Sequence, residues 1–169
     1  DRPKAILFEG PPGTGKTTSA RIIAQQVNVP LVYMPLESVL SKYYGEGEQN
    51  FAEIFDLCQQ LGKTILFIDE IDTLAQDRGG STGEMHEASK RLLSVLLRKI
   101  DGFHKDPNVL LICATNRKRD LDPAMLSRID LSILFDLPDS KSRMEIFRRY
   151  AKHLSDSELK KLGDLSNGF

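Results

Sequence analysis

The stretch that most restricts the fold of this chain is GPPGTGKT at Gly10–Thr17. It satisfies the spacing G-x-x-x-x-G-K-[ST] through Gly10, Gly15, Lys16 and Thr17. Its flanks agree with it. Lys4–Glu9 (KAILFE) is a short apolar run with the length of a buried strand, and Thr14–Val27 carries Ala20, Ile23, Ala24 and Val27 at helical spacing. A strand that enters a helix through such a turn must curl its backbone so that successive N–H groups point inward, which glycine permits. The helix N-terminus adds positive potential at the same point. A chain of phosphates suits that nest. Gly10, Pro11, Pro12, Gly13, Thr14, Gly15, Lys16, Thr17 and Thr18 are therefore the expected nucleotide contacts, most simply to ATP. Lys16 reaches for the β- and γ-phosphates, and the Thr17 hydroxyl is placed on Mg²⁺. The competing reading, a glycine-rich turn with a surface lysine, explains neither flank.

The rest of the chain repeats the alternation of strand and helix. Leu31–Met34, Thr64–Ile68 (TILFI), Val109–Ala114 (VLLICA) and a weaker Ile133–Leu137 read as strands. Phe51–Leu61, stopped by Gly62, His86–Ile100, Ser140–Leu154 and a short Asp156–Leu162 capped by Ser155 read as helices. Pro30 forbids continuation of the first helix. The polar, glycine-containing Ala75–Met85 reads as a surface loop. Strands that are apolar on both faces and alternate with helices predict an α/β fold with a parallel sheet covered by helices. Right-handed crossovers then bring the phosphate loop and the polar strand ends to one edge.

Two of those strand ends carry chemistry. ILFIDE ends in Asp69 and Glu70, where hydrolysis needs a carboxylate to orient Mg²⁺ and a base to position and polarise water; Asp69 suits the first role and Glu70 the second. A solvated acidic turn is the alternative, since Asp72 and Asp77 follow. LLICATN ends in Asn116, whose amide suits a contact to the γ-phosphate or the attacking water, although Asn is also a common turn former.

Composition narrows the partners. With 23 Lys+Arg against 24 Asp+Glu the formal net charge of the 169 residues is -1, which gives no general drive toward nucleic acid or an anionic membrane. Cys58 and Cys113 lie in apolar segments and read as buried free thiols of an intracellular, reducing compartment, cytoplasmic or organellar. No stretch has the length of a membrane span. The chain begins at Asp1 and stops soon after a short helical pattern, so it reads as a fragment.

Four segments in order, GPPGTGKT (Gly10–Thr17), ILFIDEID (Ile65–Asp72), ATNR (Ala114–Arg117) and LDPAML (Leu121–Leu126), resemble the AAA+ ATPases, and within them the AAA group proper. The resemblance covers nearly the whole chain. It implies a P-loop three-layer sandwich with a five-stranded parallel sheet of order 5-1-4-3-2 over residues 1–139. The start of a small helical lid would occupy residues 140–169. It implies a Mg²⁺-dependent ATPase in which Asn116 is the first sensor, working in a hexameric homo-oligomer with ATP at subunit interfaces.

A ring implies further roles. Arg128 falls on the position of the family's first arginine finger, which touches the neighbour's γ-phosphate, while Ser132 stands where the second would be. The alternative for Arg128 is an ion pair with a surface acid. SKYYGEGEQ (Ser41–Gln49) resembles the aromatic pore loop that grips a threaded polypeptide, with Tyr43, Tyr44 and Gly45 as its core; locally, YYG also fits a strand-to-turn junction. The glycine-rich Arg78–Gly83 resembles a second pore loop. Ile146 matches the apolar adenine contact, or a helix core residue, and Tyr150 stands where many members have a histidine near the ribose. TNRKR (Thr115–Arg119) is more basic than the family's TNRPD. The function expected on this basis is ATP hydrolysis coupled to remodelling, unfolding or translocation of a polypeptide. A nucleic-acid motor, disfavoured by charge and by YYG, and a nucleotide-dependent scaffold that does not hydrolyse are the competing classes.

Overall fold

A computed structural model describes residues 2–36, 47–74, 83–103 and 108–167. They form two compact units, Asp1–Phe135 and Asp136–Phe169. The sequence places this division after Asp139.

In the first unit β1 (Ala5–Glu9) leads through the phosphate loop into α1 (Lys16–Gln26) and β2 (Leu31–Pro35). Then follow α2 (Gly47–Gln60), β3 (Thr64–Asp69), a 3-10 turn at Ile71–Leu74 and α3 (Gly83–Phe103). β4 (Val109–Thr115), a 3-10 turn at Lys118–Asp120, the short α4 (Pro123–Leu126) and β5 (Leu131–Leu134) complete it. The five strands are hydrogen-bonded in the order β2-β3-β4-β1-β5, all parallel, which from the other edge is the expected 5-1-4-3-2.

The period of two along each central strand sorts its side chains into two cores. Leu7, Leu66, Ile68, Leu111 and Cys113 face one layer with Phe51, Phe55, Leu96, Ile100 and Phe103 from α2 and α3. Phe8, Ile65, Phe67, Ile112 and Ala114 face the other with Ala20 and Ala24 of α1. Phe55 lies between Phe51 at 5.1 Å and Phe103 at 5.4 Å, centroid to centroid. Each such fully buried ring contributes roughly 1.5–3 kcal/mol of transfer free energy. Small residues on α1 let that helix approach the sheet closely. Only Ala20 and Ala24 of its expected apolar set are buried; Ile23 and Val27 are exposed.

Several boundaries differ from the sequence pattern. α3 continues past Ile100 because Phe103 extends the buried face of Leu92, Leu96 and Ile100 by one more turn. It also begins at Gly83, inside the stretch expected as a loop. α2 starts at Gly47, ahead of the expected Phe51, and ends at Gln60, just before the expected stop at Gly62, whose φ of 77° is left-handed. α1 stops at Gln26, before Pro30 can act, because Asn28 turns left-handed at φ 51°. β5 is shifted toward the N-terminus of the expected Ile133–Leu137. Its partner β1 ends at Glu9, opposite Leu134, and the last ladder bond runs from Phe135 N–H to Glu9 C=O. Beyond it Gly10 turns away, so no strand edge remains to pair with.

The second unit is a helical hairpin of α5 (Ser140–Tyr150) and α6 (Asp156–Leu165). Asp139 caps α5 by accepting from the Ser142 N–H at 2.7 Å. Ser155 precedes α6, and the Glu158 carboxylate accepts from both its N–H and its hydroxyl. The helices meet at Gly163, where a Cβ would lie 2.9 Å from the Ser140 carbonyl oxygen. Arg143 ties the ends together by donating to the carbonyls of Gly163 and Pro138.

Candidate nucleotide site

Parallel pairing puts the carboxyl ends of β1, β3 and β4 side by side, and the polar residues gather there. Gly10 opens the phosphate loop and is tied to β4 by its N–H on the Thr115 carbonyl at 3.3 Å. It has φ 144°, and a Cβ on it would fall 2.0 Å from the Phe135 carbonyl oxygen. Space therefore demands glycine here. Gly13 (φ 76°) and Gly15 (φ 93°) meet no neighbour, so the backbone conformation alone demands them. Gly15 is the left-handed N-cap of α1 and offers no side-chain cap, which leaves the first-turn N–H groups for a ligand. Thr14 closes the loop on itself through its hydroxyl and the Pro11 carbonyl at 2.8 Å. Pro12 and Thr18 are exposed on its rim.

Lys16 is only 7% exposed, and its ammonium donates to the carbonyls of Gly10 and Pro11, each at 2.7 Å. Burial lowers its pKa, while the carboxylates of Asp69 and Asp72 oppose that shift. The Thr17 hydroxyl donates to Asp69 Oδ2 at 2.8 Å, which joins the loop to the end of β3. The other oxygen of Asp69 accepts the Glu70 N–H at 3.0 Å. Glu70 is exposed and has φ 55°, a left-handed conformation that costs a non-glycine residue about 1–3 kcal/mol. The chain is held there by Thr73, whose N–H and hydroxyl both donate to the Glu70 carbonyl at 2.9 and 2.7 Å.

Asp72, read from sequence only as part of an acidic turn, is a buried strut at 4% exposure. It accepts from the Thr115 hydroxyl at 2.9 Å and from the Asn116 N–H at 3.4 Å. Thr115 in turn accepts the Arg117 N–H at 2.9 Å. The backbone that carries Asn116 is thus set by the same IDEID segment that carries Asp69 and Glu70. The available signal was its place between Ile71 and Leu74, where an acid must be buried with partners. Tyr33 was missed as well; its hydroxyl lies 3.4 Å from Asp69 Oδ2.

Arg128 holds Asp101 with both arms of its guanidinium, Nε to Oδ1 at 2.8 Å and Nη2 to Oδ2 at 3.1 Å, and donates from Nη1 to the Ala124 carbonyl at 2.8 Å. Ser132 accepts from Lys118 at 3.2 Å, and Lys118 also pairs with Glu9 at 2.7 Å, so the first basic side chain of the KR pair is engaged rather than projecting. Ile146 and Tyr150 belong to the second unit, where both are exposed, Tyr150 at 86%. Tyr43, Tyr44 and Gly45 lie outside the described residues, as does most of the Arg78–Gly83 loop.

Residues 6–137 match the AAA family, described as ATPase family associated with various cellular activities. This chain is a member of that family. Two proteins are similar to it over nearly its whole length. It is 38% identical to the cell division cycle protein 48 homolog of Archaeoglobus fulgidus over 99% of the chain and 23% of that protein. It also resembles the crystal structure of the FIGL-1 AAA domain in complex with ADP, with a TM-score of 0.84 and 31% identity. That match covers 99% of this chain and 56% of the other. The chain therefore spans about a quarter of its curated relative's length and somewhat more than half of the solved chain.

The site can also be tested against a magnesium ion. Among the described residues no cluster of three or more His, Cys, Asp or Glu could hold a metal. Magnesium does not require one, because it keeps several waters and takes one or two protein oxygens plus substrate phosphates. Thr17 and Asp69 supply such hard oxygens beside the loop, with the threonine proton directed at Asp69 and its lone pairs left to face a cation. The donor set fits. No helix among the described residues is long and apolar enough to cross a membrane.

Proposed function

We propose that this chain is the Mg²⁺-dependent ATP-hydrolysing module of a ring-forming, protein-remodelling ATPase. The observation that carries the reading is the 2.8 Å bond from Thr17 to Asp69, which couples the phosphate loop to the carboxylate strand. The ADP bound to the related FIGL-1 domain supports the nucleotide class.

In this reading the loop N–H groups and Lys16 bind the phosphates, and Thr17 and Asp69 hold Mg²⁺. The ion would neutralise phosphate charge as it develops. Glu70 takes the proton of the attacking water, from a left-handed backbone position directly after Asp69. Asn116, anchored through Asp72, orients that water or senses the γ-phosphate. Arg128 serves a neighbouring subunit in a hexameric ring, and to do so must exchange Asp101 for phosphate. Ile146 and Tyr150 match the family's adenine and ribose positions by sequence. Tyr43, with Tyr44 and Gly45, grips the polypeptide. The compartment is intracellular and reducing, in keeping with the buried free thiols Cys58 and Cys113.

The test is ATP turnover of the assembled protein with and without an unfolded polypeptide. Unfolded polypeptide should stimulate turnover, and Glu70→Gln should lower it by about 10²- to 10⁴-fold while nucleotide still binds. Tyr43→Ala should hydrolyse ATP but fail to process substrate. Stimulation by DNA instead of polypeptide would replace this reading with a nucleic-acid motor. Tight binding without turnover would replace it with a scaffold.

A further inference from the structure

Asp69 has more partners than a solvated strand-end carboxylate needs. Oδ1 takes the Glu70 N–H, and Oδ2 faces two hydroxyls, Thr17 at 2.8 Å and Tyr33 at 3.4 Å. The second comes from the edge strand β2, whose register sets Tyr33 opposite Phe67 and Pro35 opposite Asp69. A side chain at Tyr33 must therefore lean along the strand by two residues to reach the carboxylate, a span that a tyrosine covers and a shorter side chain does not.

The ring is held in that pose from two other elements. It stacks on Phe67 of β3 with centroids 6.0 Å apart and planes 14° from parallel. The guanidinium of Arg21 on α1 lies over it, 5.7 Å from the centroid. Tyr33 is 43% exposed, yet its position is determined by α1, β2 and β3 together. Burial first, and the negative Asp69 next, raise the phenol's pKa. The 3.4 Å separation is long for an O–H···O bond, but such bonds around a catalytic centre commonly tighten when the nucleotide is bound.

We propose that Tyr33 is a positioning residue for Asp69, its hydroxyl fixing the plane of the carboxylate that receives the magnesium–nucleotide complex. The role rests on the metal-dependent nucleotide reading given above. The Glu70 N–H on Oδ1 and Thr17 on Oδ2 already restrain that plane, but the Thr17 oxygen also serves the cation, and Tyr33 adds a second donor to Oδ2 that has no other duty. Phe67 and Arg21 keep the hydroxyl in place, and so they belong to the same device.

Tyr33→Phe removes one oxygen and keeps the ring on Phe67. The measurement is binding of a fluorescent ADP derivative to the protein, first in EDTA and then with MgCl₂ titrated in. Affinity in EDTA and the melting temperature should match wild type. The Mg²⁺ concentration giving half of the affinity gain should rise by about 3- to 10-fold, the scale of one ordinary hydrogen bond. The same shift should appear with Mn²⁺, read from the spin-resonance signal of the free ion. A half-saturating Mg²⁺ concentration equal to wild type overturns the role of Tyr33. Should Tyr33→Phe melt early, Arg21→Gln decides by the same criterion, since it loosens the ring without touching the carboxylate. A wild-type protein whose affinity for the derivative does not respond to Mg²⁺ overturns the metal reading itself, and this role with it.

Discussion

Single residues at the phosphate edge are constrained in different ways, and the differences are measurable. Gly10 is held by space as well as conformation, because a methyl group there would overlap the Phe135 carbonyl. Gly10→Ala should destabilise the chain by about 1–3 kcal/mol or more, read as a lowered urea midpoint. Gly13 meets no neighbour, so the strain of its φ alone would act there. Asp72 is constrained by partners. Asp72→Ala would strand the Thr115 hydroxyl and the Asn116 N–H, at about 1–3 kcal/mol of stability. Because it also frees the backbone of Asn116, turnover should fall more than nucleotide affinity does; equal losses in both would mean that Asp72 acts on binding alone.

At the scale of elements, the two cysteines report on packing. Cys58 lies on the buried face of α2 and Cys113 on β4, and burial raises both thiol pKa values from 9.0, that of Cys58 to about 11. A raised folded pKa means that the folded state keeps its proton after the unfolded chain has lost it. The stability linked to the thiol is therefore fully present below pH 9 and is lost as pH rises from 9 toward 11. In urea melts across that range, Cys58→Ala should show a shallower decline than wild type. Native protein should resist alkylation of both thiols at neutral pH, with reaction appearing only on unfolding. The element boundaries carry the same lesson about packing. The period of the α3 helix was legible from its apolar positions, but its last turn depended on a place for Phe103 in the core. The span of β5 was not legible, since an exposed edge strand is defined by where its partner ends.

At the scale of the whole molecule, Arg128 is the residue that bears on assembly. Arg128 is satisfied within its own chain by Asp101 and by the Ala124 carbonyl, which agrees with the ion pair that the sequence left as an alternative. Both side chains of that pair are partly exposed, so a neighbour's phosphate has access to compete for the guanidinium. If Arg128 serves a neighbour, Arg128→Ala subunits should bind nucleotide normally and lose turnover. Mixing them with Glu70→Gln subunits should restore part of it, because each supplies what the other lacks at a shared interface. Failure to complement would confine Arg128 to its pair with Asp101.

The local signals were strong where chemistry and backbone geometry coincide. GPPGTGKT between an apolar run and a helical pattern determined the loop, its left-handed glycines and the places of Lys16 and Thr17, because few sequences can make that turn. The double-sided apolar runs determined a parallel sheet, since only burial on both faces rewards them. The tertiary structure decided what depends on contacts far apart in sequence. It set Asp72 beneath Asn116, brought Tyr33 to Asp69, engaged Lys118 with Glu9 and Arg128 with Asp101, and cut β5 short where β1 ends. Those outcomes follow from strand register and from the need of buried polar groups for partners, neither of which is written in any local stretch of the chain.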